Sequence, residues 1–157
     1  MSRTSRWQDW PDDLRPNDSP VYTFNERGMD ATPERIWQTL VRATQWPSFY
    51  GNARDVRIED GEELGADVSF SWRTFGLRVE TRVIAWEPLR ALAWRGDTWY
   101  GRGMHTWLIE RTPSGCHVVT EEVQAGLVPA LGRLYLRRGL LHWHDKWLTG
   151  LDEAARR

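Results

Sequence analysis

One cysteine in 157 residues, Cys116, excludes an intramolecular disulfide. Lysine is as scarce: Lys146 is alone among 21 basic residues, all the others being arginine, and the formal net charge is −1. Acidic and basic residues are scattered along the chain, so no electrostatic footprint for nucleic acid forms and that class of partner is excluded. No apolar run approaches the roughly 20 residues that span a bilayer, so integral membrane insertion is not expected and any lipid contact is peripheral. The first residues carry no apolar secretion signal, which makes a cytoplasmic protein the expectation. Walker loop, dinucleotide fingerprint and Ser-His-Asp string are also missing, and no cofactor is expected.

What the chain does have is tryptophan, eleven in all. Each buries about 150–250 Å², enough to fill a core or to line a pocket. The chain length suits one domain that buries roughly 70% of its unfolded surface without staples. Residues 1–18 mix Trp7, Trp10, Pro11 and Pro16 with charges and show neither period 2 nor period 3.6, which reads as an irregular N-terminal arm ahead of a domain over 19–157.

Val21 to Glu26 partly alternates and reads as a first strand. Thr32 then suits a helix cap, with Pro33 at the first helical position and an apolar face at Ile36, Trp37, Leu40 and Val41. Trp46-Pro47 breaks that helix, and Ser48 to Gly51 suits a second helical turn. From Ala53 to Ala125 the pattern is strands and turns. Val68-Phe70-Trp72, Leu77-Val79-Thr81-Val83, Leu92-Trp94 and His105-Trp107-Ile109 each occupy one face of a half-buried strand. Period alone does not decide which face of the His105 strand is inside. Thr112-Pro113-Ser114-Gly115 is a turn signal, and placing Arg111 opposite Cys116 sets Ile109 against Val118, Trp107 against Thr120 and His105 against Glu122. After Pro129 a helix is expected over about 130–155, with Leu134, Leu141, Leu148 and Leu151 near one stripe and a bend near Gly139.

This order of elements resembles the START-like superfamily, which includes polyketide cyclase/dehydrase proteins and lipid-transport domains. The resemblance rests on Ala31-Thr32-Pro33-Glu34-Arg35-Ile36-Trp37, Gly65, Trp86-Glu87-Pro88, Leu92-Ala93-Trp94-Arg95-Gly96, the string from Gly103 to Glu110, and Thr120 to Gly126, over about residues 20–155. It implies an α+β helix-grip fold: a curved antiparallel sheet of about seven strands wrapped around the long C-terminal helix, with two short helices after strand one. It also implies that the His105-Trp107-Ile109 row points into a cavity. Proteins of this kind bind sterols, lipids, quinones or polyketides, and some catalyse cyclisation or dehydration.

The expected ligand-binding residues are therefore Phe70, Trp72, Val79, Thr81, Trp94, His105, Trp107, Thr120, Glu122 and Gln124, apolar walls with a few placed polar groups. Against this stands a solid core in which Trp72, Trp94 and Trp107 simply fill space. His105 opposite Glu122 reads either as a general acid/base pair or as a structural hydrogen bond. His142 and His144 lie two apart on a helix and diverge, so they make no metal pair, and no metal is expected. Cys116 and His117 point to opposite faces of a strand and make no nucleophile pair. Three functions remain in view: binding of a hydrophobic small molecule, an enzyme of the polyketide cyclase/dehydrase kind, and a non-catalytic interaction module with a filled core.

Overall fold

Thr32 leaves the first strand in extended conformation, and its hydroxyl accepts from the Arg35 amide at 3.4 Å, capping helix α1 (Pro33–Val41). That cap sets α1 against the concave side of the sheet in this computed structural model, which describes residues 4–157. Seven antiparallel strands follow the order β1-β7-β6-β5-β4-β3-β2. They are β1 (Val21–Met29), β2 (Arg54–Ile58), β3 (Ser69–Thr74), β4 (Leu77–Glu87), β5 (Ala91–Asp97), β6 (Arg102–Thr112) and β7 (Gly115–Ala125). Helix α2 (Leu127–Leu131) and the long α3 (Arg133–Ala155) close the chain.

The β6–β7 hairpin has the expected register, with Arg111 opposite Cys116, Trp107 opposite Thr120 and His105 opposite Glu122. The inner face carries Trp72, Trp94, Trp107, Ile109 and Val118 toward α1 and α3. A bulge between Val83 and Ala85 shifts the parity of β4, so Trp86 turns to the inner face and meets Trp37 at a 4.8 Å ring separation. The outer face is buried too. Met104, Val123, Ala91 and Ala93 there lie under Trp7 and Leu14 of the N-terminal segment. Glu121, fully buried, ties that segment down by accepting from the amides of Arg6 and Trp7 at 2.9 Å each and from the Tyr22 hydroxyl at 2.7 Å. Residues 1–3 of the arm lie outside the described residues.

Three local expectations need correction. The second helical turn runs over Ala43–Ser48 with Pro47 inside it, not over Ser48–Gly51. Pro47 is accommodated within that turn, and the amides of Phe49 and Tyr50 reach the Trp46 carbonyl at 3.1 and 2.8 Å. The C-terminal helix is interrupted at Gly132, not Gly139. Gly139 stays helical, with the Phe75 ring where a side chain would lie. The buried stripe is Leu140, His144, Trp147, Leu148, Leu151 and Ala155, whereas Leu134 is 70% exposed. The interruption at Gly132 separates the phase of the first apolar residues from that of the stripe.

Candidate functional site

Between the inner face and α3 the tryptophans divide into two groups. Trp46, Trp107 and Trp147 are fully buried, and Trp46 sits at the centre, 5.0–5.9 Å from the rings of Phe70, Trp72, Trp94 and Trp147. Its indole N–H donates to the Leu40 carbonyl at 2.9 Å. This half of the interior is solid. Toward α2 a cavity of about 180 Å³ remains open. Among its lining residues are Trp72, Val79, Thr81, Trp94, His105, Glu122 and Gln124, along with Leu140, His144 and Trp147 from α3. Phe70, Trp107 and Thr120 are not in the wall; they stand behind it as packing or support. The alternatives of lining and filling are therefore both realised: Trp46 and Trp107 fill, Trp72 and Trp94 line, and Trp147 does both.

The mouth is formed where the loop after β5 meets α2. At Gly126, whose φ is +115°, a Cβ would come within 2.8 Å of the Gly101 Cα, so this approach requires glycine. Leu77 and Val128 are lining residues with exposed apolar side chains, and Trp99, Leu131 and Tyr135 are exposed elsewhere on the surface.

The polar end of the cavity is more than the expected pair. His105 Nδ1 lies 3.4 Å from Glu122 Oε2, and His144 Nε2 lies 2.9 Å from the same oxygen. His144 comes from α3, whereas His142 is exposed, so the two diverge as expected; but His144 turns inward to join residues more than 20 positions away. Sequence reasoning missed it because only the long-range packing of α3 on the sheet brings it there. The signal available was its place in the stripe four residues after Leu140 and three before Trp147.

Each of the three residues is held from behind. His105 Nε2 is 2.6 Å from Thr120 Oγ1, and that hydroxyl donates its hydrogen to the Thr106 carbonyl at 3.1 Å. With that hydrogen on Thr106, Thr120 accepts from His105 Nε2–H and the lone pair of a neutral ring lies on Nδ1, facing the carboxylate; with the hydroxyl turned to Nε2, the ring carries its proton on Nδ1 and donates it to Glu122. Gln124 donates to Glu122 Oε1 at 2.6 Å. Thr23 Oγ1 stands 3.4 Å from His144 Nδ1. Burial pushes His105 down to about 3, so the ring is neutral at physiological pH. Burial alone would raise the Glu122 carboxyl, but the hydrogen bonds from His144 and Gln124 act against it, and the carboxyl is held below the usual range. The arrangement is an anchored carboxylate between two imidazoles at the end of an apolar cavity. It can accept or donate hydrogen bonds, move a proton, or bind a cation.

No protein-family model matches the chain, and no curated protein matches it. Solved structures do. The hypothetical protein jhp0584 from Helicobacter pylori superposes with a TM-score of 0.87 at 24% identity, over 99% of this chain and 99% of its own. The di-domain ARO/CYC StfQ, from the steffimycin biosynthetic pathway, gives 0.72 at 16% identity over 87% of this chain and 51% of its own. The di-domain ARO/CYC BexL, from the BE-7585A pathway, gives 0.73 at 12% identity over 90% and 52%. The chain thus spans about half of each di-domain protein. No helix among the described residues is long and apolar enough to cross a membrane. At these identities the likeness is one of fold alone: the chain shares the helix-grip architecture, a seven-stranded antiparallel sheet around a long C-terminal helix.

Proposed function

We propose that this protein binds a hydrophobic small molecule carrying one polar, hydrogen-bonding end. The observation behind this reading is the make-up of the cavity: aromatic and aliphatic walls from Trp72, Val79 and Trp94 meet a polar cluster at His105, Glu122 and Gln124, with Thr74, Thr98 and Arg102 also in the lining. Ligand sites combine apolar surface with a few convergent polar groups in this way. A filled interaction module would have no use for the space. The size narrows the ligand. An engineered cavity of about 150 Å³ takes up benzene, so 180 Å³ holds one substituted ring or a short isoprenoid stretch. Anything larger extends outward past the exposed side chains of Leu77 and Val128, which suits a lipid or polyketide-like body. The lone buried thiol of Cys116 suits a reducing, cytoplasmic setting.

Native mass spectrometry of protein purified from its own host is expected to show a retained hydrophobic ligand, and apolar probes are expected to quench tryptophan fluorescence. If no apolar compound binds the wild type, the reading is wrong.

A second reading, an enzyme of the cyclase/dehydrase kind, is favoured by the Glu122 carboxylate between two imidazoles and by the ARO/CYC neighbours. Replacing His105 and Glu122 by Gln separates the two readings. A binding protein keeps its affinity to within about 1–1.5 kcal/mol, the net worth of a hydrogen bond. A catalytic pair loses roughly 10²–10⁴ in rate with binding little changed.

A further inference from the structure

We infer that His105, Glu122 and His144 form a binding site for one divalent transition-metal ion, with zinc the best fit to the donors. His105 Nδ1, Glu122 Oε2 and His144 Nε2 converge, all lying within 4.8 Å of one another. The two edges to Glu122 are 3.4 and 2.9 Å, and the edge between the two imidazoles is the long one, up to 4.8 Å, which small rotations of the rings toward a shared ion must shorten. Metal bonds of about 2.1 Å place neighbouring donors about 3.0–3.4 Å apart in tetrahedral or octahedral shells, so these two edges already have the right length. Two imidazoles and a carboxylate are a donor set that zinc and its first-row neighbours take.

The stronger argument is what stands behind the donors. In metal sites the non-ligating atom of each ligand is held by an outer partner that fixes the tautomer and aims the donor. Here all three have one: Thr120 on His105 Nε2 at 2.6 Å, Gln124 on Glu122 Oε1 at 2.6 Å, and Thr23 beside His144 Nδ1 at 3.4 Å. When the Thr120 hydroxyl donates to the Thr106 carbonyl, it accepts from His105 Nε2–H, the tautomer in which His105 presents a lone pair on Nδ1 beside Glu122 Oε2. In that tautomer two acceptors stand 3.4 Å apart, and a cation between them satisfies both. His144 needs only to move its proton from Nε2 to Nδ1, toward Thr23, for its second donor atom to face the same point. All three residues line the cavity, so a remaining coordination position faces any ligand bound there.

The test is titration of chelator-stripped protein with Zn²⁺ by calorimetry and with Co²⁺ by visible absorption, with no organic ligand present. Its failure therefore leaves the hydrophobic-ligand reading untouched, and the failure of that reading leaves this one standing. One equivalent is expected to bind. Glu122→Gln and His144→Gln are expected to weaken binding by at least about 100-fold, and Thr120→Val by about 10–100-fold, the range seen when outer partners are lost. His142→Gln, on the exposed side of the helix, is expected to change nothing. Should the variants fail to fold, wild-type Co²⁺ protein decides the matter: two hyperfine-shifted, exchangeable imidazole N–H resonances are expected, from His105 Nε2–H and His144 Nδ1–H. The site is refuted by wild type that takes up less than one equivalent, by folded Gln variants that bind as tightly as wild type, or by fewer than two such resonances.

Discussion

Trp46→Ala and Trp72→Ala remove the same side chain from opposite sides of one boundary, and their stability costs should differ. Trp46 is fully buried and packed on four aromatic neighbours, and its indole N–H serves the Leu40 carbonyl at 2.9 Å. Truncation in a packed core costs about 3–5 kcal/mol. Leaving a buried carbonyl without its donor adds roughly 1 kcal/mol or more, so Trp46→Ala should cost about 5 kcal/mol. Trp72 lines the cavity, and the space left by its removal merges with space already present. The cavity contribution is smaller there, and with the lost hydrogen bond to Thr81 at 3.2 Å the cost should stay near 3 kcal/mol. Trp94, also on the wall, belongs with Trp72. Trp107, fully buried and not in the cavity wall, belongs with Trp46. Urea unfolding at constant m resolves such differences. At this chain length a difference of 2 kcal/mol also moves Tm by roughly 4–8 °C. Equal costs for Trp46→Ala and Trp72→Ala, in protein that binds no apolar probe, would refute the division into filled and open halves.

Three other outcomes are expected. Burial pushes the Cys116 thiol up to about 11, and its sulfur lies 3.4 Å from the Ala31 carbonyl, so native protein should resist a thiol reagent at pH 8 while denatured protein reacts fully; rapid native labelling would contradict this. Glu121→Ala strips the acceptor from two arm amides and from Tyr22, and should cost about 3–5 kcal/mol while exposing the Arg6 and Trp7 amides to hydrogen exchange; unchanged protection at those amides would count against the clamp. A Cβ at Gly150 would lie 2.3 Å from the Phe49 carbonyl oxygen, so Gly150→Ala should destabilise by about 1–3 kcal/mol in a thermal melt, where an uncrowded helical position would gain about 1 kcal/mol instead.

The parts of the fold legible in the sequence are those whose cause is local. Thr32-Pro33 starts α1 because a cap and a proline at the first helical position act within one turn. The hairpin register follows from one turn signal and period 2, and it sets His105 against Glu122. The inner face of β6 was not legible from periodicity because the N-terminal segment buries the outer face as well, and Met104 on that side is as hidden as His105. Only an alternation of buried and exposed residues carries the signal, and here both sides are covered. Trp86 was hidden differently: a one-residue bulge in β4 reverses the parity on which any alternation argument depends.

The candidate site divides along the same line. The strand residues of the polar end come from one hairpin, so spacing places them; His144 comes from a helix whose rotation about its axis is decided by contacts with β1 and α1. On an isolated helix His142 and His144 are equivalent in chemistry and differ only in which faces inward. Had Gly132 not interrupted the helix, the apolar residues Leu127, Leu131 and Leu134 would compete to set that rotation, and they lie exposed in the fold. The stripe that wins begins at Leu140 and carries His144 directly onto Glu122, because the same packing that buries Trp147 and Leu151 turns position 144 toward the sheet. The chemistry of the site is thus a consequence of core packing, and it could be read only once the tryptophans that fill the core were told apart from those that leave room beside it.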